Sequence, residues 1–99
     1  MAKPKGKSIL TDTNDQRCFY TKVPTTEVHH VMNGSADRRK ADADGLWIYV
    51  SRSAHNWLHS TPEGKKEMLR LKALAQKEYE KTHSHEQWME RYHKNYGDI

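Results

Sequence analysis

The sequence predicts an α+β fold: a two-stranded antiparallel sheet joined to a short helix, with two C-terminal helices packed against that core. Three observations predict it. Thr26-Glu27-Val28-His29-His30-Val31-Met32 is rich in β-branched residues and extended in character, and Asn33-Gly34 closes it with a turn signal. Leu46-Trp47-Ile48-Tyr49-Val50 is the strongest strand signal in the chain. Beyond it stand two helix starts: Thr61-Pro62-Glu63 as N-cap and first turn, and Ser84-His85-Glu86-Gln87 as a capping box.

Taken in order, residues 1–16 read as a disordered basic and polar tail ahead of one domain over 17–99. Lys3-Pro4-Lys5-Gly6-Lys7 holds two helix breakers, and Thr11-Asp12-Thr13-Asn14-Asp15 has no periodicity. Such stretches bury too little to offset their ordering entropy. Cys18 to Val23 reads as a short knuckle or strand ending at Pro24. Ser35 to Asp44 reads as a polar loop carrying Arg38-Arg39-Lys40, and Gly45 marks entry to the second strand. Ser51 or Ser53 can cap a short helix running to Ser60. The next helix runs from Pro62 to near Thr82 on a stripe of Met68, Leu71, Leu74, Ala75 and Tyr79. The last helix turns Trp88, Met89 and Tyr92 inward. No internal repeat is present.

Composition sets bounds on function. The 99 residues suit one small domain, and with 34% hydrophobic residues its core is small. Three Trp and five Tyr enlarge that core with bulky rings. A net charge of +4 suits a polyanionic partner such as DNA or RNA without selecting one. Cys18 is the sole cysteine, which excludes an intrachain disulfide and a Cys-only zinc site. Ile9-Leu10, the longest apolar run near the N-terminus, is too short for a signal or a membrane span. The expectation is a cytoplasmic protein with no membrane partner.

The histidines carry the chemical signal. His55 and His59 stand four apart, so a helix places them on one face within chelating reach of one ion. His-x3-His alone is weak, because histidine-bearing helices are common. His29-His30 sharpens it. Neighbours on a strand point to opposite faces, which suggests one ligand and one base. Neutral imidazole suits both tasks near neutral pH. The competing reading is a pair of partly exposed histidines on an edge strand.

The ordered set resembles the HNH, or ββα-metal, endonucleases (His-Me finger). Glu27-Val28-His29-His30 is similar to the Glu-Leu-His-His strand of the nuclease colicins, and Val50 to His59 to their second strand running into a His-x3-His helix. The resemblance is closer to small bacteriophage HNH-type proteins. It is carried by His29-His30, Gly34, Arg39-Lys40, Asp44 to Val50, His55-Asn56 and His93-Lys94-Asn95-Tyr96, over about residues 17 to 97. The resemblance implies a ββα-metal core and a nuclease that hydrolyses DNA by a one-metal mechanism. His29, His55 and His59 would hold one divalent ion (Mg, Mn, Ni or Zn), and His30 would be the general base. Arg38, Arg39 and Lys40 would contact phosphates, or form a solvated loop cluster. Glu27 would orient His29 or a basic residue, or form a surface salt bridge; Asn56 would support a helix end.

Two departures from the family pattern stand out. The phage proteins commonly carry two Cys-x2-Cys pairs around a structural zinc. The corresponding positions are Cys18, Thr21, Ser51 and Ala54, so no structural zinc is expected. The middle Asn of the HNH name is replaced by Asp44 or Gly45. These departures keep two other readings open. One is a catalytically weakened phage protein that binds nucleic acid or a host or defence protein. The other is a helical structural protein whose histidines are incidental.

Overall fold

The computed structural model describes Pro4 and residues 6–97. Six elements follow in order: β1 (Val28–His30), α1 (Ser35–Asp44), β2 (Trp47–Tyr49), α2 (Arg52–Ser60), α3 (Pro62–Tyr79) and α4 (His85–Tyr92). The fold is α+β, a two-stranded antiparallel sheet with four helices.

The two strands pair with Val28 opposite Tyr49, His29 opposite Ile48 and His30 opposite Trp47. Backbone bonds from Val31 N–H to Leu46 O and from Val50 N–H to Glu27 O continue the pairing at both ends. Residues directly opposite share a face. His29 therefore lies on the face of Ile48, which belongs to the main core with Leu58, Leu71, Ala75 and Trp88. His30 lies on the other face, with the smaller cluster of Val28, Trp47 and Tyr49.

The caps act as their residue types dictate. Ser51 Oγ accepts from Ala54 N–H at the start of α2, and Thr61 Oγ1 accepts from Gly64 N–H at the start of α3. Ser84 and Gln87 close a reciprocal capping box on α4. The predicted long helix ends at Tyr79, and a turn carries the chain on to residue 82.

One expectation is corrected. The segment Ser35 to Asp44, expected as a polar loop, is the helix α1. It buries only Ala41, so it has no apolar stripe to announce it. Six of its ten residues, three Ala, two Arg and one Lys, are nonetheless good helix formers. Gly45 ends it at φ 78, the left-handed conformation that favours glycine after a helix.

The tail expected over 1–16 falls partly among the described residues. Residues 1–3 and 5 lie outside the described residues, as do 98–99 of the expected domain. Pro4 is buried, and Ser8, Ile9 and Thr13 hydrogen-bond to β2 and its entry. Ile9 N–H donates to Gly45 O at 2.9 Å, Ser8 Oγ to Trp47 O at 2.6 Å and Tyr49 Oη to Thr13 O at 2.9 Å. The approach is tight: a Cβ on Gly45 would collide with Lys7 O.

Candidate metal centre

The register of β1 and the turn of α2 bring three imidazoles together. His29 comes from the core face of the strand, while His55 and His59 come from one face of α2. Their ring centroids are 5.6 Å apart for His29 and His55, 5.5 Å for His29 and His59, and 4.9 Å for His55 and His59. One ring nitrogen from each lies within 4.8 Å of the others. A metal bound at about 2.0–2.1 Å to each imidazole draws such nitrogens to roughly 3.4 Å. Small ring rotations supply the difference, and His59 is exposed enough to make one.

The donor chemistry fits a cation. His29 is 2% exposed, and its Nε2 is buried without a hydrogen-bond partner. A buried polar atom left unpaired is costly, and an ion bound there would remove that cost. Burial, then the charges of His55 and His59, push the His29 imidazole down to about 3. His55 is also lowered, first by burial and then by His59. Both rings therefore offer lone pairs at neutral pH.

His30 lines the same cleft of about 180 Å³, with His29, Arg38, His55 and His59 around it. Its two nitrogens are both engaged. Nδ1 lies 2.7 Å from Asp42 Oδ1, and Nε2 lies 3.1 Å from Arg38 Nη2. A guanidinium can only donate. Nε2 is therefore the acceptor, and Nδ1 carries the proton that it donates to Asp42. His30 is thus the Nδ1–H tautomer, with its basic nitrogen turned to the cleft.

Asp42 is a site residue that the sequence does not announce, because the segment carrying it reads as a loop. On α1, Arg38 and Asp42 are four apart and share a face that grips His30 from both sides. The basic triplet divides. Arg38 reaches His30, Arg39 is exposed, and Lys40 Nζ donates to Arg91 O at 3.0 Å, against α4. Glu27 pairs with Arg52 at the start of α2, Oε1 to Nε at 2.9 Å, rather than with His29. Asn56 is exposed on α2, and its side chain makes no hydrogen bond among the described residues.

The four knuckle positions also find a structural role. Cys18 N–H donates to Val23 O and Lys22 N–H to Cys18 O, closing the loop between Arg17 and Pro24. Burial raises the Cys18 thiol, but hydrogen bonds from Thr21 and Ser51 outweigh it and bring it down to about 6. The loop is thereby tied to the entry of α2, which carries two of the three imidazoles. Asp44 accepts from Arg91 Nε and Tyr92 Oη, so it joins the end of α1 to α4.

Comparison with protein-family models, curated proteins and solved structures yields no match, so the geometry carries the functional argument.

Proposed function

We propose that the protein is a metal-dependent endonuclease of the HNH, ββα-metal type, hydrolysing DNA phosphodiester bonds. The observation that carries this reading is the convergence of His29, His55 and His59 beside the cleft-facing Nε2 of His30. Three imidazoles without a carboxylate suit Zn²⁺, Ni²⁺ or another imidazole-binding metal better than Mg²⁺. Once bound, the metal would polarise the scissile phosphate and stabilise the developing 3′ oxyanion.

The protein groups supply the rest. His30 Nε2 takes a proton from water as the water oxygen bonds to phosphorus and the bond to the 3′ oxygen breaks. Asp42 holds His30 Nδ1–H and stabilises the imidazolium that forms, a division of labour familiar from histidine bases generally. Arg38 must leave Nε2 before the base can work. A substrate phosphate in the cleft gives its guanidinium a stronger, charge-assisted acceptor. The basic nitrogen is therefore covered until an anion arrives.

The test is nicking of supercoiled plasmid by the untagged chain with Zn²⁺, Ni²⁺, Mn²⁺ or Mg²⁺, alongside His30→Ala. Cleavage that falls by about 10²–10⁴-fold in the variant supports the assignment. Equal cleavage by both removes the base. A chain that binds metal and DNA but cuts under none of the four ions is a binding protein on a nuclease scaffold.

A further inference from the structure

The chain after α4 is more firmly fixed than a trailing segment requires. His93 ends the helix at φ 65. Trp88 Nε1 donates to Lys94 O at 2.8 Å, and Gln76 Nε2 donates to Asn95 Oδ1 at 2.7 Å. Tyr96 N–H donates to Gln76 Oε1 at 2.6 Å. Gln76 is 3% exposed and sits on α3, so three successive residues are pinned to the two packing helices from beneath.

The outcome is a fixed aromatic ring under two ammonium groups. Tyr96 is 8% exposed, with Lys94 Nζ 5.2 Å and Lys72 Nζ 5.8 Å from its ring centroid. Neither lysine has a carboxylate within ion-pair distance among the described residues. Asp37, in the first turn of α1, influences Lys72 and Tyr96 without closing a salt bridge to either lysine. Two like charges gathered on one ring repel each other, and an anion between them relieves that repulsion.

Lys72 follows Leu71, which packs in the main core with Ile48. Ile48 in turn shares its face of the sheet with His29.

We infer that Lys72 and Lys94, seated on Tyr96, form a subsite for a phosphate of the DNA backbone. The identity of that polyanion as DNA rests on the nuclease reading; the subsite itself does not need cleavage. Tyr96 limits the rotamers of both lysines, so less freedom is lost when a phosphate arrives. The contact is to the backbone and carries no base preference.

The experiment is duplex-DNA binding by fluorescence anisotropy with EDTA present, across a salt series, using the full chain. The Lys72→Gln/Lys94→Gln variant should bind at least about tenfold more weakly, with the log–log salt slope reduced by about 1–2. Lys72→Arg/Lys94→Arg should retain wild-type binding. Zn²⁺ affinity should be equal in all three. If the glutamine pair destabilises the fold, Lys94→Gln alone, at an exposed position, should still lower the slope by about 1. Wild-type affinity and slope in the glutamine variants, or no duplex binding by the wild type, overturns the subsite. Binding through these lysines with no cleavage under any metal leaves the subsite and removes the nuclease. Cleavage with unaltered affinity in the double variant does the reverse.

Discussion

His30 Nδ1 and Asp42 Oδ1 lie 2.7 Å apart, and the bond joins a strand histidine to a helix carboxylate twelve residues later. The partner on the opposite side of the ring, Arg38, forces the donor role onto Nδ1. Removing Asp42 should therefore act on the base and not on the ligands. Asp42→Ala removes the acceptor that holds Nδ1–H once Arg38 has left Nε2, and with it the negative charge that stabilises the imidazolium. Its kcat should drop by about 10–10²-fold, less than in His30→Ala, at unchanged Zn²⁺ affinity. Calorimetric metal titration beside plasmid nicking checks both halves. A variant that loses metal and activity together would place Asp42 in structural support instead.

The metal should stabilise the fold by mass action. At an ion concentration of about 100 times Kd the gain is about 2.7 kcal/mol, and a small domain shifts by roughly 4–8 °C per kcal/mol. Zn²⁺ or Ni²⁺ should thus raise the thermal midpoint by about 10–20 °C, and EDTA should reverse it. Mg²⁺ should do little, because the three donors are imidazoles. His59→Ala removes an exposed ligand at little cost to packing, so it should abolish most of the shift while leaving the metal-free midpoint near wild type. An equal shift in that variant would contradict the three-ligand site.

Acid should destabilise the metal-free protein through His29. Its imidazole is held near 3 in the fold by burial and by its histidine neighbours. In the unfolded chain it titrates near about 6.5. Between those values the unfolded state binds the extra proton. The stability contributed by neutral His29 is complete above about pH 6.5 and is lost progressively as pH falls toward the folded value. The limiting slope for one such group is roughly 1.4 kcal/mol per pH unit. Urea midpoints of the metal-free chain should decline more steeply below about pH 6.5 in wild type than in His29→Gln. Parallel curves would show that His29 is not held neutral.

The opposite facing of His29 and His30 is legible in the sequence because strand alternation sends neighbours to opposite faces, and the register places them so. His55 and His59 are legible from their helical spacing, and the helix starts from Ser51, Thr61 and Ser84. What stays hidden shares one cause. α1 buries a single alanine, and the N-terminal segment is held largely by backbone and hydroxyl bonds to Gly45, Trp47 and Tyr49. Neither leaves an apolar pattern in the sequence. Asp42 is hidden with its helix. Lys72 and Lys94 lie far apart in sequence and meet only because Gln76 and Trp88 fold the last segment onto α3 and α4.

Gly64 offers a test that links packing to the site. It is buried in the first turn of α3, where an added Cβ would collide with Trp57 O and lie 2.7 Å from Leu58 Cα. Those are backbone atoms of α2, so no side chain can move aside and the helix itself must shift. His55 and His59 ride on that helix and must stay within reach of His29. Gly64→Ala should cost about 1–3 kcal/mol through overpacking, and it should also weaken Zn²⁺ binding. Lys65→Ala, one residue on and exposed, should stay within about 0.5 kcal/mol of wild type and bind Zn²⁺ normally. Thermal melts with and without Zn²⁺ separate the two effects. A destabilised Gly64→Ala that keeps full metal affinity would show that the ligands tolerate movement of α2.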